Sequence, residues 1–408
     1  MSQLLNLTRG VDRLGRIAAI ALGFFIPISV AIDNLLLAVV LGCFIAGAGY
    51  REKVSFVASN PALVIPAALY GLLAVGALHG GAAPGEATQY LGKYADLLLI
   101  PVIAAFFRAP STRRIGLHAF SCAIILTVLL SFAIYAGLLS RLPLFLHDET
   151  YAVPFKHSLT HSILVGFGTF MFVHLAISTQ SSAARWAWLV LATLALVNIT
   201  FLVPGRTGYL LLGVLGLYTG FALWRWTGLI TILGVAVLGL AIAYHTSDRL
   251  HDRIARGLAE YSAQHSGVPT DAGSAVGIRM EFYRNSLAII RDHPLIGAGT
   301  GGFRAAYAEK VKGSGMTPTA NPHNEYLLIA VQLGIVGLAA MLYMFWVQWR
   351  NAPRLASPLE CHLARGLVLT IAIGCLFNSL LLDHTEGLLF AWLTALLHAG
   401  LESAGGKR

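Results

Sequence analysis

Three polar segments of the chain lie where long apolar runs end, and their residue types suit chemistry on phosphate and hydroxyl groups. Arg206 stands in a Pro-Gly-Arg-Thr turn between two apolar runs, and Arg279 stands near the start of a predicted helix. A guanidinium can hold two phosphate oxygens, and a helix N-terminus adds positive potential. His323 opens the next apolar run, where a histidine can act as a general base or donate a hydrogen bond to phosphate. The segments predict a phosphate-binding site, although an arginine at the end of a span can also reach lipid headgroups.

Residues next to the second and third segments are further candidates for substrate binding. Arg284 and Arg291 are seven positions apart and share one helix face, a pattern that is also typical of a solvated basic face. Asn324 and Glu325 follow the histidine in the first turn of a predicted helix, at the outer surface of an otherwise apolar segment. We expect these four side chains to contact the substrate.

The remaining histidines and the cysteines predict no metal site. His157 and His161 are spaced i, i+4 at the start of an apolar run, but no third ligand is evident, so we expect them to line a substrate cavity. The four cysteines lack metal-ligand spacing. No glycine-rich nucleotide motif follows a strand, so nothing supports nucleotide-dependent chemistry. We therefore expect neither a metal nor a cofactor.

The elements that must position these residues are membrane helices. Of the 408 residues, 57% are hydrophobic and only 12% are charged, and the mean hydropathy is +0.72. Soluble domains carry about 25% charged residues, so a soluble globule is excluded. The apolar residues come in long runs, which indicates spanning helices and not an outer-membrane barrel. With about 20 apolar residues per span, the sequence predicts an all-α polytopic membrane protein with about twelve transmembrane helices, at roughly 14–32, 34–50, 61–79, 90–107, 115–139, 158–178, 185–203, 207–224, 228–245, 323–347, 363–383 and 386–402.

The basic residues predict the orientation of these spans. With the N-terminus inside, 15 of the 28 Lys and Arg residues fall in inside segments, four fall in short outside loops, and the rest lie in one long outside segment. This bias places both termini in the cytoplasm and the three polar segments on the outer, periplasmic face. The net charge of +9 is spread along the chain, so we expect no nucleic-acid partner.

The long outside segment divides the chain into three parts. We expect helices one to nine in residues 1–245, a periplasmic loop domain in 246–322, and helices ten to twelve in 323–408. Within the loop, Gly273 and Ser274 cap a predicted helix over 275–291. Its apolar side, which we expect to lie against the membrane or over a cavity, comprises Met280, Tyr283, Leu287 and Ile290. Pro294 and four closely spaced glycines then predict a tight, adaptable loop.

The order of these motifs is also informative. A short outside turn with Arg206 comes first, followed by Gly-Ile-Arg ending at Arg279, Asp-His-Pro-Leu-Ile-Gly-Ala-Gly over 292–299, and His-Asn-Glu-Tyr-Leu over 323–327. This layout resembles the O-antigen ligase and polymerase superfamily of the Wzy-C type. The number of spans and the modest loop are most similar to its ligase branch.

The resemblance implies a glycosyltransferase with the helical GT-C type of membrane architecture. Such an enzyme moves a finished O-antigen glycan from undecaprenyl pyrophosphate to a sugar of the lipid A core, on the periplasmic face of the bacterial inner membrane, among membrane lipids and without metal or nucleotide sugar. It further implies that Arg206 and Arg279 bind the pyrophosphate and that His323 is essential. We expect an inverting displacement with His323 as the base, and a hydrogen bond from this histidine to the pyrophosphate is the alternative.

Three other functions are compatible with the sequence. An O-antigen polymerase shares the donor and the leaving group, and a protein O-oligosaccharyltransferase belongs to the same superfamily. A transporter of lipid-linked glycans would instead place charged groups near the middle of the membrane. Asp96, inside the fourth apolar run, fits the transporter better, whereas the other candidates lie at the outer surface and favour an enzyme.

Overall fold

The computed structural model describes residues 2–139, 152–203, 205–246, 275–316 and 318–401, and these residues form helices and turns without any strand. The helices are α1 Ser2–Phe25, α2 Val30–Ala46, α3 Tyr50–Ala58, α4 Pro61–His79, α5 Pro84–Lys93, α6 Asp96–Ala104, α7 Pro110–Tyr135, α8 Ser158–Ser178, α9 Ser182–Val197, α10 Arg206–Thr246, α11 Ala275–Asp292, α12 Phe303–Lys310, α13 Glu325–Asn351, α14 Pro358–Gly374 and α15 His384–His398. A π-helical turn, Asn198–Leu202, extends α9. The predicted cap residues Gly273 and Ser274 lie outside the described residues, as does Pro204.

Six of these helices are long and apolar enough to cross a membrane, or seven if α2 and α3, which meet at 114°, form one bent span. The six are α4, α7, α8, α9 with its π-helical turn, α10 and α13. The all-helical, multi-pass membrane class is therefore confirmed. The number twelve and the GT-C arrangement stay predictions.

Two predicted spans differ from the helices that the structure shows. The span predicted at 90–107 is divided between α5, which ends at Lys93, and α6, which begins at Asp96. The span predicted at 363–383 ends early, because α14 stops at Gly374 and residues 375–383 form a turn. Polar side chains of this turn bond to neighbouring segments, and a count of apolar residues does not detect such contacts.

The predicted boundary between the eighth and ninth spans coincides with a break inside α10. Arg225 has φ 56° and ψ −133°, which no helix continues. The segments on either side approach each other closely, since a Cβ added at Gly220 would lie 2.7 Å from the carbonyl oxygen of Gly228. Small residues at this crossing let the two backbones touch.

The glycine-rich loop over 293–302 packs against a second break, at Gly334 in α13. Breaking a helix leaves backbone groups without partners, and the loop supplies them. Ala298 N–H donates to Val331 at 2.7 Å, and Ile335 N–H donates to Pro294 at 2.9 Å. The loop is therefore tight, as predicted, but it is fixed by main-chain bonds to α13.

Gly299 shows why the loop requires glycine. Its φ of +87° suits a residue without a Cβ, and an added Cβ would lie 2.1 Å from the Cα of Gly80. The loop thus joins α13 to the end of α4 by direct backbone contact. This packing fixes the beginning of α12 and the end of α11.

Candidate active site

His323 stands just before α13 in a backbone conformation that the neighbouring residues impose. Its φ is +54°, which is uncommon for a residue with a Cβ. The Asn321 side chain accepts the His323 N–H at 2.8 Å, and the Asn324 side chain caps α13 by accepting the Leu327 N–H at 3.1 Å. Asparagine is favoured both in such turns and at helix N-caps. The Asn-Pro-His-Asn sequence therefore turns the imidazole out of the helix and fixes its direction.

The imidazole is oriented by the 375–383 turn. His323 Nδ1 lies 3.1 Å from Oδ1 of Asn378, and Nδ2 of Asn378 donates to Oδ2 of Asp383 at 2.6 Å. A carboxylate only accepts hydrogen bonds, so the Asn378 amide must point its nitrogen at Asp383 and its oxygen at the histidine. Nδ1 of His323 therefore carries the proton, and Nε2 keeps a free lone pair. This is the tautomer that a general base needs.

Asp383, the last member of this chain of bonds, is a partly buried carboxyl group outside the helices. Burial raises its pKa, and the bond from Asn378 and the positive charge of Lys93 partly offset that rise. Lys93 ends α5 and is exposed. The carboxyl group thus lies between a polar chain that leads to His323 and a cation at the surface.

A second anchor holds the same turn from the other side of α13. Glu325 is fully buried, and its carboxyl group accepts the Tyr94 hydroxyl at 2.5 Å and the Leu381 N–H at 3.0 Å. Asn324 also donates to the Leu376 carbonyl at 3.2 Å. Both residues were predicted to bind substrate. The structure shows them joining α13 to the turn, and their contact with substrate stays a prediction.

Helix α11 covers His323. The Phe282 ring stacks on the imidazole with centroids 6.3 Å apart and planes at 25°. The Tyr283 hydroxyl donates to the Leu376 carbonyl at 3.0 Å and lies 3.5 Å from the His323 carbonyl. The helix that carries Arg279 is therefore in direct contact with the histidine and with the turn that orients it.

The buried face of α11 differs from the predicted one. Phe282, Ser286 and Ile289 are buried, whereas Met280 and Leu287, which were predicted to pack, are about half exposed. The prediction followed apolar residues alone and passed over Ser286, whose hydroxyl is satisfied by the carbonyl of Phe282 at 2.7 Å. A serine that bonds its own helix in this way can lie in a core.

The arginines of α11 divide between its two sides. On a helical wheel Arg279 falls between Phe282 and Tyr283, about 60° from the first and about 40° from the second. Arg284 and Arg291 fall about 160–200° from Phe282, on the side away from His323. All three are exposed. The helical wheel therefore puts Arg279 on the side of α11 that contacts His323, and Arg284 and Arg291 on the opposite side.

Arg206 is exposed in the first turn of α10. Among the described residues, neither Arg206 nor Arg279 has an ion-pair partner. Lys310, by contrast, pairs with Asp292 of α11 at 2.9 Å. A guanidinium without a carboxylate partner keeps its donors for an anionic ligand. Both arginines thus present positive charge without internal neutralisation.

The two histidines at the start of α8 lie in different surroundings. His157 is exposed, whereas His161 is buried and its Nε2 lies 2.7 Å from Oδ1 of Asn198. Asn198 in turn donates to Ser131 at 2.7 Å. His161 therefore takes part in a bond between helices, and the predicted contact of both histidines with substrate stays a prediction. In the part of the chain that the structure describes, no group of three or more His, Cys, Asp or Glu residues suits a metal ion.

The residues that orient His323 were missed by the sequence reasoning. Both Asn378 and Asp383 fell within the span predicted at 363–383. A cluster of polar residues at 378, 379 and 383 inside an apolar run was the available signal, because polar groups within a span face the protein interior.

Together these contacts assemble a fixed imidazole with a free lone pair, a covering helix with an unpaired arginine, and the 375–383 turn that orients the imidazole. Such a site can remove a proton from a hydroxyl group and neutralise a departing anion.

Comparison with known proteins adds two findings. The sequence pattern of a family described as O-antigen ligase matches residues 191–342, a stretch that contains Arg206, Arg279 and His323. A protein of Haemophilus influenzae, described as uncharacterized, is 24% identical over 329 residues, which cover 74% of this chain and 76% of the relative.

Proposed function

On the basis of the match of residues 191–342 to the O-antigen ligase (Wzy-C) superfamily, we propose that the protein transfers a lipid-linked glycan to an acceptor hydroxyl group. The finer proposal is an O-antigen ligase. Its donor is an O-antigen glycan on undecaprenyl pyrophosphate, and its acceptor is a sugar of the lipid A core. The reaction takes place on the periplasmic face of the inner membrane.

The observation that carries this proposal is the bonded series from His323 through Asn378 to Asp383. It leaves Nε2 of His323 as the proton acceptor for the acceptor hydroxyl. The hydroxyl oxygen attacks the anomeric carbon of the first donor sugar, and the bond from that carbon to the phosphate oxygen breaks. The electron pair leaves with undecaprenyl pyrophosphate, and the proton stays on Nε2. One displacement of this kind inverts the anomeric configuration.

The pyrophosphate leaving group accounts for the two arginines of the proposed site. Pyrophosphate leaves readily, so catalysis consists mainly of fixed positive charge on the departing oxygens and a base for the acceptor. Arg279, on the side of the covering helix that contacts His323, supplies the first guanidinium in the proposal, and Arg206 supplies the second. The absence of an ion-pair partner for either one among the described residues supports this role.

The test is a transfer assay with purified protein, undecaprenyl-pyrophosphate-linked glycan and rough lipopolysaccharide, with EDTA and without nucleotide. His323→Ala should lower the rate about 100- to 10,000-fold because it removes a general base. Arg279→Ala should lower it about 100-fold or more because it removes charge stabilisation of the leaving group. Arg304→Ala is the matched control, since Arg304 is an exposed arginine of the same outer segment that pairs with Glu86 at 3.4 Å.

The variants also separate the competing interpretations. His323→Gln keeps a hydrogen-bond donor but cannot accept the proton, so an active His323→Gln enzyme would contradict the base. Glycan that grows on the lipid carrier would indicate an O-antigen polymerase, and glycan on a protein would indicate a protein oligosaccharyltransferase. A folded protein that forms no covalent product would favour a transporter.

A further inference from the structure

A charged cavity lies at the end of the helix bundle that is remote from His323. It encloses about 320 Å³ and is lined by three cations and two acids, among other residues. The charged side chains are Asp12, Arg16, Glu52, Lys53 and Arg108. Glu360, at the start of α14, pairs with Arg113, which in turn bonds the carbonyl of Arg108. Because the 375–383 turn follows the other end of α14, the cavity and the histidine are separated by the length of that helix.

The three cations of this cavity outnumber its two carboxylates. Among the described residues, none of Arg16, Lys53 and Arg108 forms an ion pair with any carboxylate. Instead, Arg108 donates to the main-chain carbonyl of Glu52 at 3.0 Å and lies 4.6 Å from the centre of the Phe56 ring. A basic group held by carbonyls and rings keeps its charge for a ligand.

Lys53 is the most unusual member of the set. It is only 8% exposed, and its ammonium lies 4.8 Å from the centre of the Phe44 ring and 3.4 Å from the Phe44 carbonyl. Removing an ammonium group from water is costly unless an anion compensates it. The Phe44 ring, the Tyr50 ring at 5.4 Å and one long hydrogen bond provide only part of that compensation. The buried ammonium therefore points to an anion that occupies the cavity.

Two helix N-termini also face this cavity. Gly49, the N-cap of α3, and Ala109, the N-cap of α7, both line it, and neither helix has a capping bond from a side chain. The first N–H groups of a helix need acceptors, and phosphate oxygens are good acceptors at such positions. The N-termini of two uncapped helices and three cations without ion-pair partners therefore line the same cavity.

The turn that carries Arg108 is held in place before any ligand binds. Arg113 is buried and pairs with Glu360 at 2.8 Å. It also donates to the carbonyls of Phe107 at 3.3 Å and Arg108 at 2.9 Å. Pre-organisation of this kind lowers the entropy lost on binding.

The level of the cavity identifies the source of the phosphate. The apolar helices α2 and α6 end at Ala46 and Ala104, and α7 begins at Pro110. The lining residues that belong to neither α1 nor α3 stand within three positions of one of these ends, which is the depth of lipid headgroups. Its carboxylates, Asp12 and Glu52, would repel a bare phosphate but accept hydrogen bonds from a headgroup.

We propose that this cavity binds a phospholipid headgroup, with the phosphate on Arg16, Lys53, Arg108 and the two helix N-termini, and with headgroup donors on Asp12 and Glu52. The ammonium of phosphatidylethanolamine and the hydroxyls of phosphatidylglycerol can donate to these carboxylates. The quaternary ammonium of phosphatidylcholine cannot. The site is independent of the transfer chemistry at His323.

The test is lipid titration of the detergent-purified full chain, read by native mass spectrometry. Phosphatidylethanolamine and phosphatidylglycerol should each form a saturable 1:1 adduct, and phosphatidylcholine should bind several-fold more weakly. One basic residue near a lipid surface contributes about a fivefold factor, so Arg16→Gln with Arg108→Gln should weaken binding about 30-fold. Arg51→Gln, an exposed α3 residue that does not line the cavity, is the matched control.

Other outcomes would overturn the proposal. Equal lipid affinity in the double variant and the wild type would remove the assigned cations from the site. Equal binding of phosphatidylcholine would contradict the role of the carboxylates, and competition by soluble glycerol phosphate as strong as that by lipid would assign the cavity to a soluble anion. If the double variant does not fold, Arg16→Lys with Arg108→Lys, which keeps both charges, must bind within about tenfold of the wild type.

Discussion

Replacing Asn378 by leucine tests whether His323 acts as an oriented base. The amide oxygen of Asn378 accepts the Nδ1–H of His323 at 3.1 Å. In the resting enzyme this is a bond between neutral groups, but it becomes charge-assisted when the imidazole takes a proton. Hydrogen bonds to charged groups contribute about 1.5–3 kcal/mol, so Asn378→Leu should lower kcat about 10- to 150-fold.

The assay is the initial rate of glycan transfer with both substrates varied. The KM of the donor should stay within about threefold of the wild type, because an interaction made only in the transition state affects kcat. Asn351→Leu makes the same change at the other end of α13, where Asn351 accepts a bond from Arg354 at 3.3 Å. It should leave kcat close to that of the wild type.

A double variant makes the test specific. If Asn378 acts through the histidine, Asn378→Leu should cause little further loss in the His323→Ala background, because residues that act as a unit are not additive. Wild-type kcat in Asn378→Leu, or full additivity with His323→Ala, would refute the assignment of the tautomer and of the base.

Three further predictions concern stability. Gly299→Ala should destabilise the protein by about 3 kcal/mol or more, because the new Cβ would overlap the backbone of Gly80. Gly313 has a similar φ of +75° but open space around it, so Gly313→Ala should cost only about 1 kcal/mol. Thermal unfolding of the two variants measures the difference. Arg113→Gln should cost about 3–5 kcal/mol because it leaves the buried carboxylate of Glu360 unpaired, and the Arg113→Met, Glu360→Leu double variant should recover most of that loss. Burial raises the pKa of Asp383 above its ordinary 3.8, so its contribution to stability is present below about pH 3.8 and is lost as the pH rises through the higher folded value; the unfolding free energy of the wild type relative to Asp383→Asn should therefore rise as the pH falls from 7 toward 4.

Much of the fold follows from the sequence because apolar length and helix punctuation are local signals. The helix predicted over 275–291 is observed at Ala275–Asp292, and the break at Arg225 falls between the spans predicted at 207–224 and 228–245. The end of α14 was not predicted. The 375–383 turn that follows α14 is stabilised by bonds to residues 55 and 56 positions earlier in the chain. Contacts between such distant positions leave no periodic pattern in the sequence.

The candidate site divides along the same line. His323 and Arg279 could be selected as candidates from the sequence, because a histidine at the start of an apolar helix and an arginine near a helix start have recognisable settings, and their roles stay predictions. Asn378, Asp383 and the stacking Phe282 could not, since their roles depend on three segments that meet only in the folded chain. The buried side of α11 was predicted wrongly because its central residue, Ser286, is polar.

In the proposed transfer reaction, the rigid histidine and the unpaired arginines suit different steps. His323 is fixed by Asn321, Asn378 and the stacked Phe282, so its orientation entropy is lost during folding and not during each turnover. The arginines remain exposed without ion-pair partners among the described residues, and ordering each one costs up to about 2 kcal/mol when the anion binds. That cost is compensated by charge-assisted bonds that form only with a phosphate in place. A transferase whose base is fixed and whose cations are ordered by the donor can therefore avoid removing protons from the acceptor until the lipid pyrophosphate is bound.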